Sequence, residues 1–538
     1  LHPSTIFCRG HIARLLCRVI SLRTAFCSSG LFALANDALV AASRCCDRLF
    51  YRRRSRCHRL LHPATSEQRK HHCKQTVPKS IHRAAIYQIS AKPQPLSQST
   101  DRNDSALGQA QSSRLGSLPV QFVQLMLQKT IPTLAALGLA CCCATARELK
   151  EFDSDVNYDE SRVPHYDLPD PLITAEGKPV TTAERWRNVR RPQILSLFAN
   201  FIYGAVPVPP DPIEQTYKVV KEDKAFMDGK ATKLDVSIRF KNRNGAVQTQ
   251  VVVFIPNDAK EPAPAFMMLS FDSPRGSSLQ LSSSRKGRLR NGVPLADLIA
   301  NGYGYVSVYH GDLIGHNEVS FGRGIHKLFF RDGQSFPKAH EWGVLGANAW
   351  TGMRALDYLE TNDRIDAKRV AVMGHSKMGK ATLWAAAQDE RFALAISAQS
   401  GCGGAALWRR KYGETMAKLN RFPHWLSINA RKFNDREDDL PVDQHMLLSL
   451  IAPRPVYVAS ATADTWADPH GEFQSANHAA PVYRLLGKKP LPTTKLPTAS
   501  QPLLDGDIGY HIRTGGHSVD PYDWEQFIQF ANRHLKAD

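Results

Sequence analysis

The chain has 538 residues, 69 Lys plus Arg against 50 Asp plus Glu, and a formal net charge of +19. Its 43% apolar and 9% aromatic content allows a large packed core, which excludes a wholly disordered or collagen-like chain. The charge is not spread as in a nucleic-acid binder: residues 1–146 carry 20 Lys/Arg against 5 Asp/Glu, and the rest carries 49 against 45.

Residues 1–125 are rich in Arg, His, Cys and Ser, lack sustained periodicity and include Arg52-Arg53-Arg54. They read as upstream sequence translated from a misplaced start, with no fold of their own. A basic nucleic-acid-binding arm is the rival reading. Met126 opens a segment with Lys129, the apolar run Ile131 to Ala140, and then Ala144-Thr145-Ala146. A charged start, a short apolar stretch and a small-x-small site predict a signal peptide over 126–146. The run is shorter than the roughly 20 apolar residues that cross a bilayer, so no stable membrane insertion is expected. Cleavage after Ala146 leaves Arg147 first and exports the body, to the periplasm or beyond. Cys141 to Cys143 raise a lipoprotein alternative, which Gly138 fits poorly. Ten of the 11 Cys lie in residues 1–146, and only Cys402 follows, so no internal disulfide can staple the body.

Residues 147–185 are polar and Pro-punctuated and read as an extended tail. From Trp186 the pattern is globular. Strand-like runs fall at 234–240, 248–255, 265–271, 304–309, 369–373, 393–398 and 455–461. Trp342, Leu345, Ala349, Met353 and Leu356 share one helical face. Strands alternating with helices predict an α/β three-layer sandwich over 186–538, a mostly parallel sheet with helices on both faces. Residues 487–502 are rich in Pro, Lys and Thr and read as a surface loop.

The sharpest local signal is Arg369-Val-Ala-Val-Met-Gly374-His375-Ser376-Lys377-Met378-Gly379-Lys380, followed by the small-residue run Ala381 to Ala387. An apolar strand running into Gly-x-Ser and then a helix projects the serine oxygen from the C-terminal edge of a sheet. The backbone N–H of Lys377 then points at a developing oxyanion. The second glycine, Gly379, stands three residues after Ser376 rather than two. A serine nucleophile needs a base, and the body has 13 histidines. His517 lies in Gly515-Gly516-His517, after the strand-like 510–514 and before an amphipathic helix over 524–535. That matches the chain order serine, acid, histidine of this fold class. His424 and His445 lie mid-chain and read as structural or substrate-facing. Asp464 directly follows the run 456–461 and is the candidate acid, with Asp468 and Glu472 as rivals.

The ordered motifs Gly-His-Ser-x-x-Gly-Lys (374–380), Ser-Gly-Cys-Gly-Gly-Ala-Ala-Leu (400–407), Arg-Arg-x-x-Gly-Glu (409–414), Phe-Pro-His-Trp (422–425), Leu-Pro-Val-Asp-Gln-His (440–445), Ile-Ala-Pro-Arg-Pro (451–455) and Trp-Ala-Asp-Pro (466–469) carry a resemblance. Over about 186–535 the chain resembles the bacterial glucuronoyl esterases, carbohydrate esterases of the α/β-hydrolase superfamily. The resemblance implies cleavage of esters between 4-O-methyl-glucuronic acid on xylan and lignin alcohols, with no metal and no cofactor. It implies Ser376 as nucleophile, His517 as base, Lys380 and Glu414 as grips on uronate hydroxyls, and Trp466 as the aromatic lining the sugar site. Two positions depart from the family. The residue after the nucleophile is usually Arg, whose side chain helps hold the oxyanion; here it is Lys377, which keeps the charge and loses the planar fork. The frequent family acid, a Glu just before Ser-Gly, is replaced by Gln399, which moves the expected acid to Asp464.

Rival functions are an acetyl or other carbohydrate esterase on the same fold, and a glycan-binding protein with a decayed triad. His340-Glu341 lacks the second His of a zincin motif, because Val344 stands in its place. Gly401-Cys402-Gly403-Gly404 lacks dinucleotide-binding spacing. The expected partner is the glucuronoxylan or lignin–carbohydrate ester itself, and the expected acting unit is a monomer.

Overall fold

The computed structural model describes residues 155–314 and 321–536. The leader over 1–125, the signal segment over 126–146 and the start at Arg147 lie outside the described residues.

Nine strands form one sheet in the order β1-β2-β3-β5-β4-β6-β7-β8-β9. They are β1 (Glu214–Phe226), β2 (Ala231–Asn242), β3 (Gly245–Pro256), β4 (Ala263–Ser270), β5 (Gly304–Tyr309), β6 (Ile365–His375), β7 (Leu394–Ala398), β8 (Val456–Ala461) and β9 (Ile508–Arg513). The strands from β5 to β9 in that order run parallel, whereas β1, β2 and β3 join the sheet antiparallel. The sequence reading missed β1. Its residues are Lys-, Asp- and Glu-rich and mostly exposed, so it carries no apolar signal. A charged edge strand of this kind blocks further strand addition.

The parallel strands are apolar on both faces because helices cover both. Val370 and Val372 enter one core and Ala371 and Met373 the other, the two-residue alternation of a pleated strand. The first core is closed by α1 (Arg191–Phe201), α3 (Val344–Leu359), α4 (Lys377–Gln388), α5 (Gln444–Ser449), α6 (Pro469–His478) and α7 (Ala480–Leu485). The second is closed by α2 (Leu295–Ala300) and α8 (Pro521–Leu535). Helix α3 begins after Trp342, which instead packs its indole against Phe329 and Trp350. Helix α8 opens with Pro521 behind a capping box between Asp520 and Asp523. Residues 487–502 form an irregular, mostly exposed segment.

Residues 155–185 are mostly irregular, yet side chains and backbone tie them to the body. Arg410 donates to Glu160 (2.5 Å), Lys418 to Asp155 (2.7 Å), and the Gly413 N–H to the Asn157 carbonyl (2.9 Å). Arg410 also grips Asp468 at 2.8 Å, and both side chains are buried. Arg410→Ala therefore leaves a buried carboxylate without its cation, and breaking such a pair costs about 3–5 kcal/mol. The urea midpoint should fall accordingly. A loss of unfolding free energy under about 0.5 kcal/mol would mean that solvent reaches Asp468 and replaces the guanidinium.

Candidate active site

Ser376 sits where β6 meets α4, with φ 58° and ψ −127°. That backbone conformation is strained for a residue with a side chain, and such strain gathers at functional turns. Two glycines permit it. A Cβ on Gly374 would lie 2.4 Å from the Met378 carbonyl oxygen, and one on Gly379 would lie 2.9 Å from the Ser400 Cβ. The glycine three positions after the serine is thus the one that lets α4 press against the 400-loop, which explains the shifted spacing. The Ser376 N–H donates to the Ala398 carbonyl (2.9 Å), tying the turn to β7. Lys377 is the first residue of α4, where backbone N–H groups have no partner within the helix.

His517 stands on the loop after β9. Its Nδ1 and the Asp464 carboxylate lie 2.6 Å apart, with Asp464 buried and the imidazole about two-fifths exposed. Two backbone bonds weld the acid's loop to the histidine's: Thr462 N–H to Arg513 O (2.9 Å) and Ala463 N–H to Gly515 O (2.8 Å). With Nδ1 engaged, Nε2 is the nitrogen left to exchange a proton. The His517 ring packs against the His375 ring with centroids 4.5 Å apart, which puts this imidazole beside the serine turn. His375 itself is held down to a pKa of about 4, first by burial and then by repulsion from His517.

The rival acids have other partners. Asp468 is bound to Arg410 and caps α6 by accepting from the Gly471 N–H. Glu472 accepts from the Ser460 hydroxyl (2.6 Å), the Gly401 N–H (2.9 Å) and the Ser400 hydroxyl (3.3 Å). Complete burial pushes its carboxyl up to about 8, so it braces the 400-loop from within.

Gln399, at the position where the family frequently carries a Glu, is buried with φ 46°. Its Oε1 lies 3.0 Å from His375 Nε2 and accepts from the Ser518 N–H at 2.9 Å. The amide thus holds the residue next to His517 rather than His517 itself. Sequence reading missed this role, because an amide replacing an acid looks like a loss. It also missed Arg513, whose guanidinium donates to the Thr514, Gly516 and Ser518 carbonyls and to Asp523, clamping the loop of His517.

Lys380 and Glu414 form a buried pair at 3.0 Å, and Lys380 also donates to the Cys402 carbonyl. The Glu414 N–H donates to the Trp466 carbonyl (3.0 Å), and Trp466 is half-buried. The close approach requires Gly413, at φ 62°, because a Cβ there would lie 2.5 Å from the Trp466 oxygen. Lys377 is buried, and its ammonium lies 4.8 Å from the centre of the Trp425 ring. Among the described residues it has no side-chain hydrogen bond and no ion pair. Burial alone pulls its pKa down to about 8.

Among the described residues, no group of three or more His, Cys, Asp or Glu is placed to hold a metal ion, and no helix is long and apolar enough to cross a membrane. A cavity of about 570 Å³ between α2 and α8, lined by Arg288, Asp297, Tyr522 and Trp524, contains none of the residues above.

Comparison with known proteins follows the same lines. A family profile described as "Glucuronyl esterase, fungi" matches residues 309–487. The carbohydrate esterase MZ0003, from an unknown prokaryotic organism, is 40% identical over 403 residues, 70% of this chain and 92% of that protein. The 4-O-methyl-glucuronoyl methylesterase of Phanerochaete carnosa is 26% identical over 366 residues, 66% of this chain and 80% of that protein. The glucuronoyl esterase from Solibacter usitatus superposes with a TM-score of 0.65 at 39% identity, covering 70% of this chain and all of that one. A promiscuous CE15 esterase from a marine bacterial metagenome superposes with a TM-score of 0.62 at 39% identity, over 71% of this chain and all of that one. Fold, serine turn and sequence identity over nearly the whole of a curated relative agree: the chain belongs to the bacterial glucuronoyl esterases, α/β-hydrolase carbohydrate esterases of family CE15.

Proposed function

We propose that Ser376, His517 and Asp464 cleave the ester between the 4-O-methyl-glucuronic acid of glucuronoxylan and a lignin alcohol. Membership of the family makes the chain a carboxylic ester hydrolase acting on glucuronic acid esters. The observation that carries the residue assignment is the 2.6 Å contact of His517 Nδ1 with the buried Asp464, next to the strained Ser376 turn. In this reading Ser376 Oγ attacks the uronate carbonyl carbon while His517 Nε2 takes its proton. Asp464 stabilises the imidazolium, which then protonates the departing alkoxide. Water, deprotonated by the same nitrogen, cleaves the acyl-enzyme and frees the uronate.

The oxyanion meets the Lys377 N–H and its ammonium. A buried cation with no anion of its own among the described residues is prepared for charge that appears only in the transition state. Lys380 and Glu414 bind uronate hydroxyls and Trp466 covers the sugar ring. Their support is the mutual anchoring of all three through the 402 and 413–414 backbone. The acting unit in this reading is a monomer. Residues 186–538 make up the catalytic domain, with 147–185 as its tail, and export proceeds by cleavage after Ala146. N-terminal sequencing of protein secreted from the Met126 start should read from Arg147, and any other first residue would move the cleavage site.

Turnover of benzyl glucuronate tests the activity, with acetylated xylan and a simple aryl acetate as the acetyl-esterase arm. Glycan binding with no turnover, unchanged by Ser376→Ala, would leave a lectin-like protein instead. Asp464→Asn should lower kcat by several orders of magnitude, since the corresponding change in a serine protease costs about 10⁴. If Asp464→Asn keeps most activity while Glu472→Gln abolishes it, the acid is misassigned.

Lys377 works only while protonated. Activity should therefore decline as pH rises through about 8, where the buried ammonium loses its proton. Lys377→Arg stays charged, so its alkaline decline should move to higher pH. Lys377→Ala should cost on the order of 100-fold in kcat or more. An alkaline limb identical in the wild type and Lys377→Arg would assign that limb to another group.

A further inference from the structure

Between the sugar site and the nucleophile lies a row of side chains that the mechanism above does not use. The Arg421 guanidinium stands 5.3 Å from the centre of the Trp466 ring and 4.9 Å from that of Phe422. Phe422 stacks on Trp425 with centroids 4.4 Å apart and planes 12° from parallel. Trp425 in turn carries the Lys377 ammonium at 4.8 Å. A ring, a cation, two stacked rings and a second cation thus follow one another in contact from Trp466 to Lys377, the residue after the serine.

The row is anchored in the fold. The Trp425 N–H donates to the Phe422 carbonyl (2.9 Å). The carbonyls of His424 and Trp425 accept from the N–H groups of Val344 (2.8 Å) and Leu345 (3.0 Å), the first residues of α3. Those N–H groups have no partner within their own helix, so the 424–425 backbone caps it. Gly343 makes the contact possible, since a Cβ there would lie 2.5 Å from the Trp425 and Leu426 carbonyl oxygens. Trp425 therefore cannot shift without uncapping a helix of 16 residues.

We infer that Arg421, Phe422 and Trp425 act as a positioning ladder joining sugar recognition at Trp466 to the oxyanion cation at Lys377. Arg421 is its specificity-determining rung. The inference rests on the roles proposed above for Trp466 and Lys377. A sugar ring that packs against Trp466 presses on a guanidinium, which is held against Phe422 and, through Trp425, against the lysine. An ester lacking the uronate leaves Trp466 untouched and gains nothing from the ladder. The device thus discriminates between a uronate ester and a simple acyl ester through the geometry of the oxyanion site.

Each cation–ring contact is individually modest and grows as solvent is excluded. Arg421→Met removes two of them and leaves the Trp425–Lys377 contact in place. The ratio of kcat/KM for benzyl glucuronate over that for an aryl acetate should then fall about tenfold, with the loss shared between kcat and KM, and Arg421→Lys should restore most of it. Trp425→Leu acts at the other end. It removes the ring that favours the charged ammonium, so the alkaline limb of kcat should shift to lower pH on both substrates, while Trp425→Phe holds it in place. Thermal midpoints measured alongside show whether each variant is folded. Equal losses on both substrates in Arg421→Met, or an unchanged ratio, would overturn the ladder, as would an unmoved alkaline limb in folded Trp425→Leu. A wild-type protein that leaves benzyl glucuronate intact would instead overturn the proposed function.

Discussion

Everything in the site is referred to one backbone constraint, the φ of 58° at Ser376. A residue with a side chain holds that conformation only if its surroundings over-determine it. Here β4 and β7 pin the strand on either side, and α4 begins at the next residue. Gly374 and Gly379 remove the two side chains that would collide with the tightened turn. The same turn aims the first N–H groups of α4 outward and leaves the Lys377 side chain buried beside them. The position of the serine oxygen and the electrostatics beside it, the proposed nucleophile and oxyanion site, are therefore two consequences of one local geometry.

Around that turn, among the described residues, several buried charges are paired and that of Lys377 is not. Lys380 is matched by Glu414, Arg410 by Asp468 and Arg513 by Asp523, all buried. Removing a partner from such a pair is costly, so these contacts hold their loops in one place. Glu472 achieves the same end with hydroxyl and amide donors in place of a cation. Among the described residues, the Lys377 ammonium meets the face of an indole and no carboxylate. A cation–π contact tolerates a buried ammonium without neutralising it, which, in the proposed mechanism, keeps the charge available for an anion that forms during reaction. The departure from arginine makes that charge titratable near neutral pH, because a desolvated ammonium gives up its proton far more readily than a guanidinium.

The loop of His517 is held by more residues than a triad requires. Asp464 takes Nδ1, Gln399 takes the neighbouring N–H, Arg513 gathers three carbonyls, and His375 supplies a flat neutral surface. With the carboxylate on the Asp464 loop, position 399 is free to carry an amide. The oxygen it keeps is the atom that the Ser518 N–H needs. In the proposed mechanism, what reads in the chain as a lost acid is a relocated acid together with a retained acceptor.

The order of the motifs and the apolar runs were enough to specify a parallel sheet, the serine at a strand-to-helix turn and His517 on a late loop, because these depend on local pattern and on period. The Phe-Pro-His-Trp segment was visible only as letters in a family motif, and β1 was hidden because a solvated edge strand has no apolar face to show. The choice among Asp464, Asp468 and Glu472 could not be made along the chain, where all three follow the same strand within a dozen residues. Tertiary structure gives each carboxylate different partners, 53 to 72 residues away: His517 for Asp464, Arg410 for Asp468, and Ser400 with Gly401 for Glu472, and the proposed acid assignment rests on that difference. Local pattern dictates which elements form and where a strained turn falls. Which buried carboxylate faces an imidazole depends on how loops from separate strands meet at the sheet edge, and a linear sequence does not contain that distance.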